Sequence, residues 1–273
     1  MSKFSELQLI INFPFQDNLK VLVDVGAHQG GFSKKFAQLN WKVISFEPEN
    51  SNHEAFKKNL YGFENVQLIN KAVSDQDNLK VPFFVSNKHY GIHSLKPFHD
   101  THKAAYEVET ITLNTALESL EVDKISLLKV DTEGADFLAL KGFNFNKYKP
   151  ELIMVEFMDN RSIKNFGYSH HDMVLYMKDF GYKSFVSEWA PIKEYGIQGV
   201  NSEPHTWLQC KEYPLNHDPS WGNLIFIPNE RSKDFYYTYN NYLNTLKSGQ
   251  SSALRTFLKK IPGVKWFYNS FLR

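Results

Sequence analysis

Cysteine is almost absent. Cys210, alone among 273 residues, excludes an intramolecular disulfide and a cysteine-built zinc site, and suits a reducing compartment. No apolar run reaches 18 residues, so no membrane-spanning helix is expected, and the apolar stretch within residues 1–15 is too short for a secretory leader. Acid is nearly missing from the end of the chain: residues 231–273 carry eight Lys/Arg against Asp234 alone, net +7, whereas residues 1–230 carry 23 against 29, net −6. So mildly acidic a body argues against nucleic acid as a partner. Repeats and low-complexity tracts are also missing. Hydrophobic residues at 42% and charged residues at 22% exclude wholesale disorder. The expectation is a soluble, cytoplasmic protein with one large domain and an appendage.

What is present is an alternation. Short apolar runs rich in β-branched residues recur at Val21–Val25, residues 43–46, Val66–Ile69, residues 125–130 and Leu152–Phe157, each fit for a strand buried on both faces. Helical signals fall between them. Ser51 and Glu54 read as a capping box, residues 135–141 as a helix ended by Gly142, and Ser169 to Asp172 as the cap of another helix. Residues 182–186 and 224–227 read as two further strands. The pattern predicts a doubly wound α/β fold with a mainly parallel sheet. Two stretches interrupt it: residues 79–112, β-like segments around a His-rich loop, and residues 187–223, a long aromatic connection. Such stretches are usually lids or binding loops.

The first strand runs into Gly26-Ala27-His28-Gln29-Gly30-Gly31, a turn that lets backbone approach a ligand and delivers it to the free N–H groups of a following helix. Glu47, within Phe46-Glu47-Pro48, lies 21 residues after Gly26, the spacing of a carboxylate that accepts ribose hydroxyls. Turn and acid together point to a nucleoside cofactor. A dinucleotide site wants glycine where His28 stands, which argues against an NAD-dependent oxidoreductase. Asp24, before the turn, would repel pyrophosphate but suit an ammonium. S-adenosylmethionine carries that ammonium, a carboxylate and a ribose.

Residues 24–30, Phe46-Glu47-Pro48, residues 70–75 (Asn-Lys-Ala-Val-Ser-Asp), residues 92–95 (Ile-His-Ser-Leu), residues 127–136 (Leu-Leu-Lys-Val-Asp-Thr-Glu-Gly-Ala-Asp), Leu140-Lys141-Gly142 and residues 153–157 (Ile-Met-Val-Glu-Phe) resemble, in order, the motifs of the FkbM-type methyltransferases. The resemblance covers roughly residues 18–185. It implies a class I, Rossmann-like fold with a seven-stranded sheet, dependence on S-adenosylmethionine, and O-methylation, frequently of a sugar or polyketide hydroxyl. The sequence departs from that pattern at Gly31, where an aromatic is frequent, and at His93, where a second serine is common. Carried over by position, Asp24, Gly26, Ala27, His28 and Gly30 would surround the methionine end of the cofactor. Glu47 with Phe46 and Pro48 would hold the ribose and cover the adenine, Ala72 would lie at the adenine edge, and Asp131 would face cofactor and acceptor.

An alcohol is a weak nucleophile, so a base is expected. Asp131, Glu133 and His93 are the candidates; Glu133 alternatively caps the helix at Ala135. A mixed carboxylate–histidine metal site lacks any supporting ligand spacing, and none is expected. The domain plan is a methyltransferase domain over residues 1–230, with its cofactor half at 18–160 and substrate segments at 79–112 and 187–223, followed by a helical tail over 231–273. The expected acceptor is a sugar, glycan or glycolipid hydroxyl; the alternative is a glycan- or partner-binding module without turnover. Within 254–273, Leu254, Phe257, Leu258 and Ile261 share one helical face among cations, which suits peripheral contact with an anionic membrane, or docking on the domain.

Overall fold

The computed structural model describes residues 4–89, 91–192 and 205–258, with side chains to residue 247. The chain divides into two units, Phe15–Glu230 and a second made of the described residues of Met1–Pro14 and Arg231–Arg273. The sequence reading places the first residues with the larger domain. They group instead with the long helix Ser232–Leu258, and the reason is local. The helix Glu6–Ile11 buries Leu9 and Ile10. The Ser5 N–H donates to the Tyr242 hydroxyl at 3.0 Å, and the Arg231 guanidinium donates to the Pro14 carbonyl at 2.7 Å.

Among its described residues the larger unit holds eleven strands: β1 (Val21–Val25), β2 (Lys42–Phe46), β3 (Val66–Ile69), β4 (Ala72–Val73), β5 (Lys80–Ser86), β6 (His102–Ile111), β7 (Leu127–Val130), β8 (Leu152–Phe157), β9 (Tyr182–Trp189), β10 (Trp207–Glu212) and β11 (Trp221–Pro228). Eight form one sheet in the order β10-β9-β11-β8-β7-β1-β2-β3. The pairs from β8 through β7, β1 and β2 to β3 are parallel, while β11 runs antiparallel to both β8 and β9. The expected seven strands are therefore eight among the described residues. The extra one, β10, comes from the stretch read as a connection over 187–223, whose ends also extend β9 and begin β11. Its Gln209, Lys211 and Glu212 suit an edge strand, where polar side chains block further pairing.

The inner strands are buried throughout β1, β7 and β8, as helices on both faces of a parallel sheet require. One continuous core runs from Val23, Val25 and Phe46 through Leu128, Ile153 and Val155 to Met173, Met177 and Phe226. Each such side chain contributes about 1.5–3 kcal/mol on burial. The insertion folds as a small sheet, β4-β6-β5, in which β5 and β6 pair antiparallel along their length.

One cap differs from expectation and another agrees with it. Glu49 rather than Ser51 caps the helix Asn50–Asn59, its carboxylate accepting the Asn52 N–H at 2.6 Å. A carboxylate there answers both the free amides and the positive helix end. Ser169 and Asp172 form the full capping box of the helix His170–Asp179.

Candidate active site

The carboxyl ends of β1, β2 and β7, with the insertion, enclose a cavity of about 400 Å³, within the usual range for small-molecule sites. Four walls build it. The turn after β1 folds back on β2: the Gly26 and Ala27 N–H groups both donate to the Phe46 carbonyl at 3.0 Å. At the second wall, Phe46, Pro48, Ala72 and Val73 give an apolar slot beside Glu47. Phe83, Gly91, His93 and Leu95 come from the insertion, and Lys129, Asp131, Thr132 and Glu133 from the end of β7.

Gly26 is where these walls meet. Its φ is +73°, and a Cβ placed there would lie 1.8 Å from the Asp131 carbonyl oxygen. Two non-glycine residues also hold left-handed backbone at the cavity, His28 at φ 51° and Glu133 at φ 59°. Residues held this way store strain, and such strain gathers at ligand sites.

Glu47 is 5% exposed. One carboxylate oxygen accepts the His28 N–H at 2.7 Å and the other accepts the Glu49 N–H at 2.9 Å. Burial pushes its pKa up to about 7, against the pull of those two amides. Each oxygen keeps a lone pair, so the pair can still accept a vicinal diol. The free fold therefore loses stability from Glu47 as pH rises from about 4.5 through 7, since the folded chain holds the proton more tightly. A bound diol favours the ionised form and reverses that preference.

The methionine end differs from the sequence reading in two places. Asp24 is 0% exposed and does not line the cavity. It accepts the Ser33 hydroxyl at 2.6 Å and pairs with the Lys129 ammonium at 3.2 Å, so it reaches the site only through Lys129. Gly30 does not line the cavity either; a Cβ there would strike Leu60 at 2.4 Å, and packing explains it. Ala27, His28 and Gly31 do line it, and nothing lies within 4 Å of a Cβ built on Gly31. That open space leads to the start of the helix Gly31–Gln38, whose free amides suit a carboxylate.

The three candidate bases separate. Asp131 lines the cavity with its side chain 38% exposed and pairs with Lys129 at 3.4 Å. Glu133 is bound to the buried Arg161 guanidinium, which also pairs with Glu156 at 3.2 Å. Burial lifts the Glu133 pKa to about 8 against the pull of Arg161. Glu133 is not the helix cap: Ala135 holds that position with no side-chain cap bond, and Asp136 instead ties down the preceding turn, accepting the Thr132 and Gly134 N–H groups at 2.7 and 3.1 Å. His93 accepts the Ser86 N–H on Nδ1 at 3.2 Å. A neutral ring held that way carries its proton on Nε2, and burial lowers its pKa, so it serves as a donor rather than a base. Asp131, Glu133 and Glu156 bring carboxylate oxygens within 4.8 Å of one another. The guanidinium of Arg161 already supplies a cation there, so the group fits an ion network better than a metal.

The insertion is pinned over this site. The Ser94 hydroxyl donates to the Glu133 carbonyl at 2.9 Å, and the Tyr106 hydroxyl donates to Glu49 at 3.3 Å. The sequence reading missed Lys129, Thr132, Phe83 and Arg161. Lys129 had a signal, since it stands on β7 two residues before Asp131, which follows the strand's end, and extended chain brings such residues to one face.

The sequence model of the Methyltransferase FkbM domain matches residues 24–184. The chain belongs to the FkbM methyltransferase family. Its cofactor is accordingly S-adenosylmethionine, and the cavity fits it: an apolar slot for a base, Glu47 for a diol, and a helix start beside open space for a carboxylate. No curated protein matches the chain. Among solved structures the FkbM chain is similar to a precorrin-6y C5,15-methyltransferase from Geobacter metallireducens GS-15 (14% identity, 81% of this chain and 87% of that one, TM-score 0.40). It is also similar to an rRNA methylase from Streptococcus thermophilus (12%, 84% and 98%, TM-score 0.42). A third is the magnesium protoporphyrin IX methyltransferase of Synechocystis PCC 6803 with bound SAM (10%, 81% and 74%, TM-score 0.41). Likenesses so remote say nothing about the acceptor.

Glu47→Ala in this FkbM enzyme is expected to weaken S-adenosylmethionine binding about 10²–10⁴-fold, from two lost charge-assisted hydrogen bonds worth about 1.5–3 kcal/mol each. Calorimetric titration at several pH values checks it. Wild-type affinity should rise from pH 6 to 8 as Glu47 ionises, and the rise should vanish in the variant. An unchanged pH dependence would remove Glu47 from the ribose.

Proposed function

We propose that this methyltransferase transfers a methyl group to a hydroxyl of a sugar, glycan or glycolipid, or of a related natural product. The observation that carries the reading is Asp131, a partly exposed carboxylate facing the cavity from the end of β7, while Glu133 is tied to Arg161. Held by the turn after β1 and by Glu47, S-adenosylmethionine would supply an electrophilic methyl with its sulfur as the leaving group, which keeps the bonding pair. Asp131 accepts the hydroxyl proton, Glu47 orients the ribose, and the insertion excludes water. Alignment alone can supply about 7–11 kcal/mol.

Support for a sugar comes from the same edge of the sheet. Trp221 begins β11 and Trp189 ends β9, two and three strands along from β7, with ring centroids 6.1 Å apart. Their neighbour Trp207 pairs with Trp189 across the ladder. The indole N–H groups of Trp221 and Trp207 are bonded inward, to the Ala190 carbonyl at 2.7 Å and the Ser187 hydroxyl at 3.2 Å. Flat apolar rings suit a pyranose face.

A panel of methyl glycosides, lipid-linked sugars and catechols, read by mass for a gain of one methylene, tests the acceptor class. Turnover confined to catechols or to RNA oligomers would refute it. The acid-free run within 254–273 further supports peripheral attachment to an anionic membrane, bringing the site to a lipid-linked acceptor. Residues 259–273 lie outside the described residues, as do the side chains of 248–258. Among the described residues no helix is long and apolar enough to cross a membrane. Liposome flotation should require anionic lipid, weaken with salt, and fail once residues 254–273 are removed; flotation unaffected by that removal would end the membrane reading.

A further inference from the structure

We infer that Lys129 is a positioning residue for methyl transfer, holding the Asp131 carboxylate toward the acceptor; this rests on the reading of Asp131 as the base. The parallel register sets Lys129 opposite Asp24 across β1 and β7, and extended chain carries Lys129 and Asp131 to one face. Its ammonium lies 3.2 Å from Asp24 Oδ1, 3.0 Å from the Gly26 carbonyl and 3.4 Å from Asp131 Oδ2. Of the three N–H donors of an ammonium, one goes to the Gly26 carbonyl, while the charge is shared between the Asp24 and Asp131 carboxylates as ion pairs. Lys129 therefore lines the cavity with its charge committed to two carboxylates, and its effect on the reaction passes through Asp131.

Stability does not explain such an arrangement. Moving two charges among apolar strands costs several kcal/mol per ion, and well-packed neutral residues often hold a fold as well. The arrangement would hold a carboxylate with more than a third of its side chain exposed in one orientation, because Lys129 is the ion pair that Asp131 makes among the described residues. It also couples three points that must agree for in-line transfer: the turn at Gly26, the base, and the strand beneath both. A displacement of about 1 Å at such a site can cost 10²-fold in rate.

Lys129→Met alone leaves Asp24 buried without a counter-charge, so the decisive variant is Lys129→Met with Asp24→Asn, set beside Asp24→Asn. Three measurements on the full chain suffice: crystal structures with S-adenosylhomocysteine, calorimetric affinity for S-adenosylmethionine, and kcat and KM on a methylated member of the acceptor panel. The expected result is an Asp131 carboxylate spread over more than one rotamer, with kcat down about 10–30-fold and cofactor affinity within threefold. An Asp131 that keeps its single rotamer, or a kcat equal to that of Asp24→Asn, overturns the proposal and leaves Lys129 a structural cation. Full activity in Asp131→Asn would instead refute the base, while the rotamer comparison still decides what Lys129 holds.

Discussion

Gly26→Ala should remove cofactor binding and cost on the order of 3–5 kcal/mol of stability, placing it among the severe single substitutions. Two terms add. A left-handed backbone disfavours an L side chain by about 1–2 kcal/mol. The new methyl also overlaps the Asp131 carbonyl, 1.8 Å away, where neither partner can yield: one belongs to the turn that donates to Phe46, the other follows directly on β7. Relief requires the β1 turn to lift from the β7 end, and that movement opens the cavity. Urea denaturation and calorimetric titration with S-adenosylmethionine read the two effects separately. Gly31→Ala is the matched control, since it lies in a helix with nothing within 4 Å of a Cβ. It should stabilise the free protein by about 0.4–1 kcal/mol while weakening the cofactor, because the methyl would occupy the cavity. Should Gly26→Ala bind normally, the closeness of turn and strand would be irrelevant to the site.

The frame of the fold was legible because its strands are buried on both faces. Val21–Val25 and Leu152–Phe157 announce themselves as apolar runs, and no tertiary knowledge is needed to read them, whereas the outer strand Val66–Ile69, read in the same way, is only half-buried. The acid at Glu47 was legible for a different reason, since a glycine turn and a strand-end carboxylate about 20 residues apart have few other uses. What escaped depends on contacts across the chain. Trp207–Glu212 reads as loop until β9 offers it an edge. Arg161 carries no local signal for its place between Glu133 and Glu156, which comes from helix packing against strand ends. Asp24 was legible as important but not as buried: its partner Lys129 lies more than a hundred residues away, and only the parallel register joins them. The tautomer of His93 depends on one backbone amide, at Ser86.

Asp131→Asn should lower kcat by about 10²–10⁴-fold, the usual contribution of a positioned base, with S-adenosylmethionine affinity within threefold. The separation follows from where the carboxylate sits. It lines the cavity at the end of β7, away from the Phe46–Pro48 slot and from Glu47, and its side chain is open enough to meet an incoming hydroxyl. Asparagine keeps the size and one acceptor but cannot take a proton, so the acceptor oxygen would have to attack while still protonated. Its neighbours offer no substitute: Glu133 is occupied by Arg161, and His93 presents a proton rather than a lone pair. Loss in kcat with KM for the cofactor preserved is the signature of an interaction made in the transition state. Because the substitution weakens the Lys129 contact without burying a new charge, thermal unfolding should move by only a few degrees, and the rate loss would not be a folding effect. If Asp131→Asn turned over like the wild type at pH 7, proton removal would not be rate-contributing, and alignment by the cavity walls would carry the catalysis alone.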